Sequence, residues 1–566
     1  MSVRARPAAV AAATAIAVAA GTAAGCAQSE GEQVPSIGYA IDNVLGTYNA
    51  GTVEGADSGA LAAFGRVLPG FGYIGPEGGA VSDTDVGTAQ QVPGDPLTIA
   101  YSFNPNAVYS DGTPLTCDDL VLAWAARSGE FPQFRAGDTA GYSDIDRIDC
   151  TPGGKDATVV FRAGRGVLDW RSLFGATTLM PSHVVRQATG VDVTTALQDG
   201  NPADVDRIAE FWNTGWNLPE EGDVDEALFP SAGPYRLDSI DDDGGVVLTA
   251  NDKWWGNRPA TEQIVVYPST SDIGDLVSSG DIEVVDAGAG ARTDLDGLTT
   301  THAVSPAVEQ FVLATQGTLG SDAVRRAFAA CIPREDLFGE FGSASDGGAP
   351  PATGLGSGVV DSRIVASNSL LYAQAAGTAG GGYRSADTAA ARSALAEAGV
   401  QSATVRVGYL TPNDARAAVV AAVAEACAPA GITVEDAGSA DFTPDALRTG
   451  AVDAVLGGTG GKQGATGATE PAERLYALHS RVAANAGGFS NGRYDAIADQ
   501  LAVESSTSVR LGLVQEAETL LWGAMPTLPL YDQVRAVMYA DGMEGVVPGP
   551  NRAGTGWNMD RWVMRR

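Results

Sequence analysis

Residues 97–124 read LTIAYSFNPNAVYSDGTPLTCDDLVLAW, and the fold follows from how this stretch is read. Apolar side chains alternate at Leu97, Ile99 and Tyr101, the period of a strand with one buried face. Ser110-Asp111-Gly112-Thr113-Pro114 is turn chemistry, with Gly112 free to take a positive φ. A helix follows at once. Thr116 is placed to cap it, Asp119 stands three residues on as in a capping box, and Leu120, Val121 and Trp124 share one apolar face. Asp111 and Asp119 are therefore a turn former and a first-turn helix acid, not a catalytic pair.

The chain has 566 residues, more than one hydrophobic core holds, so two or three lobes are expected. Lys and Arg number 35 against 69 Asp and Glu, a formal charge of -34, which excludes nucleic acid and anionic membrane surfaces as partners. Apolar residues make up 44% of the chain, so its many glycines and prolines mark turns rather than disorder. At the N-terminus Arg4 and Arg6 precede residues 7–24, an Ala- and Val-rich run too short and too weakly apolar to span a bilayer. It ends in Ala23-Ala24-Gly25-Cys26, which resembles the lipobox of bacterial lipoproteins with Ala23 in place of the usual Leu or Val. That resemblance implies a signal peptide over 1–25, a Cys26 thiol carrying diacylglycerol, and a polar tether over 26–33; plain secretory cleavage is the alternative. No other segment is apolar and long enough to span, so the expected protein is exported and anchored to the outer face of the cytoplasmic membrane.

Apart from Cys26 there are four cysteines, Cys117, Cys150, Cys331 and Cys427, which allow three connectivities. No C-x-x-C pair exists and the histidines are His183, His302 and His479 alone, so no metal site and no cofactor are expected. Downstream, 144–150 and 158–162 read as a hairpin around Pro152-Gly153-Gly154. Residues 276–284 and 446–455 each read as a short helix closed by Gly280 or Gly450 and followed by a β-branched strand. Strand 403–410, helix 414–428 and strand 432–435 continue the alternation, which predicts parallel sheet flanked by helices.

Tyr109-Ser110-Asp111-Gly112 with Pro114-Leu115-Thr116 and Asp119 resembles the "DGxPLTAxD" signature of extracytoplasmic solute-binding proteins of family 5, the oligopeptide and dipeptide binders of ABC importers; Cys117 stands where a small residue is usual. Further matches follow in the family's order. Gly233-Pro234-Tyr235-Arg236-Leu237 leads to a strand at 246–250 and then to Asn251-Asp252-Lys253-Trp254-Trp255-Gly256. Asp322 to Glu335 is similar to the "DxRVRQALxxAIDRE" helix, Ser490 to Asp495 to the "xNxxxD" loop, and Pro526 to Tyr531 to the "PxxPLY" strand.

The resemblance implies an α/β, two-lobed periplasmic-binding-protein-like (type II) fold with a small domain inserted in the first lobe. Lobe 1 would comprise 34–53, 183–308 and 531–566, the insertion 54–182, and lobe 2 residues 309–530. Crossings near 304–311 and 529–534 would form a hinge, and a solute gripped between the lobes would select the closed state. Pairing Cys117 with Cys150 and Cys331 with Cys427 keeps each bridge inside one implied lobe, where it leaves hinge motion free and adds about 2–4 kcal/mol.

The implied ligand is an oligopeptide or another bulky solute such as haem. The implied partner is an ABC permease, and the protein is expected to be a monomer. Candidate pocket residues are Tyr48, Asn49, Gln316, Glu470, Phe489 and Asn491. The family's acidic "DYxDP"-like run is absent from 457–471, where Glu470 before Pro471 is its substitute. Trp254 and Trp255 are expected to plug the lobe beneath its sheet, His183 to hydrogen-bond structurally, and Arg325 and Arg326 to pair on a helix surface. The alternative is an envelope lipoprotein that keeps the fold but acts on a protein partner. Catalysis is not expected, since no G-x-S-x-G elbow, no H-E-x-x-H and no Cys-His pairing is present.

Overall fold

The computed structural model describes residues 33–56, 58–76, 79–288, 295–342, 357–378, 380–457, 471–483, 485–549 and 553–566. Cys26 and Glu470 lie outside them.

The opening stretch folds as its chemistry dictates. Strand Thr98–Phe103 pairs antiparallel with Gly87–Val92 and with Asp156–Phe161, which pairs in turn with Ile145–Cys150. Gly112 takes φ 88° in the turn, and helix Cys117–Arg127 starts immediately after Thr116. Asp119 is 1% exposed and accepts three hydrogen bonds: the Thr116 N–H at 3.1 Å, the Ser182 N–H at 2.9 Å and the Ser182 hydroxyl at 2.6 Å. One carboxylate thus caps the helix and ties it to the segment that leaves this layer. His183 meets Asp111 at 3.0 Å with its ring against Tyr109, a structural bond.

A sheet of eleven strands carries the rest. Edge to edge the order is Ile432–Asp436, Ala403–Gly408, Ala454–Leu456, Leu298–Leu313, Thr527–Ala540, Val284–Ala287, Ser36–Ile41, Gln263–Tyr267, Val246–Ala250, Tyr235–Ile240 and Gly222–Asp223. Ser36–Ile41 runs parallel to both neighbours, and Ala403–Gly408 to both of its own, as the helix and strand alternation predicts. Helices Ile273–Ser279 and Asp445–Thr449 end at Gly280 and Gly450, both left-handed.

The hydrophobic cores divide in the same way. One joins the inner strands from Ser36 to Leu248 with the four-stranded layer and its helix, so the inserted sheet shares the first lobe's interior. Another lies under strands 403–408, 432–436 and 454–456, and a third binds helices Gly492–Leu501 and Thr507–Ala524. Cys117 bonds to Cys150 and Cys331 to Cys427, with Cα atoms 5.7 and 4.9 Å apart. With the Cys117 and Cys150 sulfurs joined, the nearby Asp118 has no thiolates beside it to hold a metal.

Trp254 and Trp255 pack ring to ring at 4.4 Å, and their indole N–H groups donate to the carbonyls of Asn257 and Asp85. Arg325 meets expectation only in part. It is buried and donates to the carbonyls of Ala524 and Leu319 at 2.8 and 2.6 Å, closing the end of helix Thr507–Ala524. Arg325 also pairs with the exposed Asp322 one turn away on its helix, and Arg326 pairs with Glu397. Arginine tolerates such burial because its planar fork satisfies several carbonyls at once.

Asp119→Ala strands the buried Ser182 N–H and the half-buried Thr116 N–H, and an expected loss of about 2–4 kcal/mol is measurable by urea unfolding. Asp499 gives a pH signature. Burial disfavours its charge, yet the His479 ring 3.6 Å away and the Tyr476 hydroxyl, which donates to it at 2.8 Å, hold its carboxyl down at about 2, below the usual carboxylate range. Its stabilising contribution is complete above about pH 4 and is lost as pH falls toward 2. The stability gap between wild type and Asp499→Asn is therefore expected to be full at pH 5 and to shrink on acidification, as read by thermal unfolding at each pH.

Candidate ligand-binding cleft

The site is built on two long strands. Leu298–Leu313 and Thr527–Ala540 pair antiparallel from Leu298↔Ala540 to Val312↔Thr527. Their outer ends join different halves of the sheet: 284–287 pairs with Thr527–Ala540 at 536–539, and 454–456 pairs with Leu298–Leu313 at 311–313. Both expected crossings are therefore stretches of continuous strand. The ladder breaks at its middle, where register shifts between Val304 and Val308 and again between Glu309 and Gln310. Pro306 and Pro529 fall at these breaks, and a proline has no N–H for the ladder. Interrupted pairing concentrates twist and bending at this waist.

Strand direction then fixes where a ligand lies. The parallel strands of the first half run toward the second half, and those of the second half run back toward the first. Their C-terminal ends face each other across the waist, the place where open α/β sheets bind ligands.

Charged side chains converge there. Asp42 directly follows strand Ser36–Ile41, Asp286 stands near the end of Val284–Ala287, and Arg416 lies in the first turn of helix Asp414–Cys427. The long strands contribute Glu309, Gln533 and Arg535. Arg535 bridges Asp42 and Asp286, each at 3.0 Å. Asp286 also accepts from the Tyr39 hydroxyl at 3.3 Å and the Thr555 N–H at 2.7 Å. Glu309 accepts from Arg416 at 2.8 and 3.1 Å and from Gln533 at 2.7 Å.

Burial opposes the charge on Arg535, but Asp42 and Asp286 outweigh it and raise the guanidinium above its ordinary pKa. The same balance, with Glu309 foremost, raises Arg416. The backbone comes close to the array: a Cβ at Gly288 would lie 2.0 Å from the Asp42 Oδ2, and one at Gly457 3.1 Å from the Arg416 guanidinium. Any side chain at Gly288 would push the carboxylate aside.

The five candidate pocket residues among those described do not gather here. Tyr48 is fully buried between Phe64 and Phe229, its hydroxyl held by Pro230 and Ser231. Asn49 is fully buried as well, donating to the Trp212 carbonyl and accepting from the Gly51 N–H. Phe489 packs on Tyr494 in the helical core. Asn491 caps helix Gly492–Leu501 by accepting from the Arg493 and Tyr494 N–H groups. Gln316 is exposed and donates to the Arg448 carbonyl at 3.3 Å. Tyr48, Asn49, Phe489 and Asn491 are thus engaged in packing and capping, because aromatic rings and turn amides at strand exits serve a core as readily as a pocket. The charged set was missed, and its one sequence signal was an acid at a strand's C-terminal end, with glycine close behind at Asp286.

Arg535→Met leaves two carboxylates without their cation, and the expected cost is about 3–5 kcal/mol in urea unfolding. Adding Asp286→Asn to that variant should recover part of it.

The description "Bacterial extracellular solute-binding proteins, family 5 Middle" matches residues 85–467. The Mycobacterium tuberculosis lipoprotein Rv2585c is 44% identical over 541 residues, covering 95% of this chain and 94% of its own. Among solved structures, the periplasmic EDTA-binding protein EppA superposes with a TM-score of 0.74 at 20% identity, over 95% of this chain and 98% of its own. Haemophilus influenzae OppA in complex with RPPGFSPFR superposes with a TM-score of 0.71 at 15% identity, over 94% of this chain and all of its own. These structures share the type II two-lobed fold, and that family and fold are those of substrate-binding proteins rather than of enzymes. Among the described residues no helix is long and apolar enough to cross a membrane. The chain belongs to the bacterial extracellular solute-binding proteins of family 5.

Proposed function

We propose that this chain is the capture component of an ABC importer, anchored by lipid at Cys26 to the outer face of the cytoplasmic membrane, and that it closes its two lobes on an oligopeptide and presents it to the permease. The observation that carries the reading is the waist, where an interrupted two-strand ladder joins two half-sheets whose C-terminal ends face each other. A ligand held there contacts both halves only when they close, so its binding energy selects the closed state. The likeness to OppA in complex with RPPGFSPFR and to a mycobacterial lipoprotein supports peptides and the anchor.

The charge at the waist supports a ligand with a cationic end. Asp42, Asp286 and Glu309 face Arg416 and Arg535, three carboxylates against two guanidiniums. The Asp42 side chain, 30% exposed, is the most accessible of the three acids and the natural acceptor for an ammonium group. Gln316 and Glu470 are further candidates for ligand contact from the second lobe.

Mass spectrometry of small molecules released by denaturing the purified protein should find peptides of mixed sequence, and titration calorimetry with RPPGFSPFR should show binding. Asp42→Asn should weaken that binding by about tenfold, the scale of one charge-assisted hydrogen bond. No released peptide and no heat with peptides of several lengths would overturn the peptide assignment. A tightly held protein partner in their place would favour the lipoprotein that acts through protein contact. Cys26→Ala should release the chain from membranes, as fractionation would show.

A further inference from the structure

The inserted four-stranded layer touches the second lobe away from the hinge strands. Residues 162–168 follow strand Asp156–Phe161, and Arg165 sits at their centre with two sets of partners. Its Nε donates to Asp144 Oδ1 at 2.6 Å within its own layer. Another guanidinium nitrogen donates to the backbone carbonyl of Asp499, in helix Gly492–Leu501 of the other lobe. The Leu168 N–H donates to the carbonyl of Ala502, the residue that ends the same helix, at 3.3 Å. Both acceptors lie at a helix C-terminus, where carbonyls point outward and carry partial negative charge. Tyr476 braces the receiving side by donating to the Asp499 carboxylate at 2.8 Å. Val167, Leu168 and Leu173 close against Tyr476, Ala502 and Arg510, leaving a cavity of only about 30 Å³ between them.

We propose that residues 162–168 form a latch: docking of Arg165 and Leu168 on the C-terminal end of helix Gly492–Leu501 holds the lobes shut and sets the resting balance between open and closed protein. This rests on the hinged-lobe reading above. The inserted layer shares the first lobe's core, so opening at the waist carries residues 162–168 away from the helix and breaks both hydrogen bonds. No ligand takes part in the contact, so the closed state is favoured whatever the cleft contains. The Arg165 to Asp144 pair stays inside one lobe and survives opening. Apparent affinity scales with the fraction of protein able to close, so loosening the latch weakens binding without touching the cleft.

Distances between spin labels at Gln91→Cys on the inserted layer and Val400→Cys on the second lobe, measured on the ligand-free full chain, test the proposal. Both positions are exposed. Arg165→Ala should lower the closed-to-open ratio by about tenfold. Arg165→Lys, which keeps a cation beside Asp144 but loses the fork that reaches Asp499, should move it in the same direction. Arg162→Ala, in the same loop but paired with the exposed Glu130, should leave it unchanged. If wild type shows two distances and neither Arg165 substitution shifts their ratio, the lobes move and the latch is wrong. One narrow distance common to wild type and every variant would overturn the latch and the hinge together.

Discussion

The two halves of the large sheet are joined through one antiparallel ladder. Strands Leu298–Leu313 and Thr527–Ala540 are each long enough to belong to both halves of the sheet, and their pairing joins eleven strands into one topology. A ladder of continuous hydrogen bonds would be a stiff rod. Breaks in register around Ser305 and Gln310, with a proline at each, leave the middle short of bonds while the two ends stay fully paired. Stiff ends and a weak centre are what the proposed hinge requires of two paired strands.

The same waist concentrates buried charge. Asp286 and Glu309 are each 2% exposed, an arrangement that costs heavily in desolvation unless every oxygen is answered. Here they are answered, by two guanidiniums, a tyrosine hydroxyl, a glutamine amide and a backbone N–H. These bonds connect the long strands to the first strand of one lobe and to a helix of the other. They fix which face of each strand meets the cleft, a choice that apolar packing alone leaves degenerate. The extra carboxylate, Asp42, gives the waist a negative bias at the point where the parallel strands of both halves converge.

Local chemistry made much of the fold legible. The capping box at Thr116 and Asp119, the hairpin around Pro152-Gly153-Gly154 and the glycine-closed helices before 284–287 and 454–456 depend on neighbours a few residues away. The ion pair of Arg325 with Asp322 was legible, but its burial was not, because the carbonyls of Leu319 and Ala524 that it also meets are supplied partly by a helix two hundred residues downstream. The burial of Tyr48 and Asn49 was not legible for a related reason: their hydrogen-bond partners, from Trp212 to Ser231, lie in a segment that sequence spacing does not bring near.

The amino-acid sequence by itself determined the element types, the alternation that demands parallel sheet, the acidic character and the family, since each depends on periodicity, turn chemistry or contiguous motifs. Tertiary structure alone decided which acids meet which arginines at the waist. Asp42, Asp286, Glu309, Arg416 and Arg535 come from five distant segments, and only strand order and direction bring Arg535 to 3.0 Å from Asp42 and Asp286 and Arg416 to 2.8 Å from Glu309. Strand order is set by the burial of whole faces against each other, a property of the assembled sheet that no single stretch of chain contains.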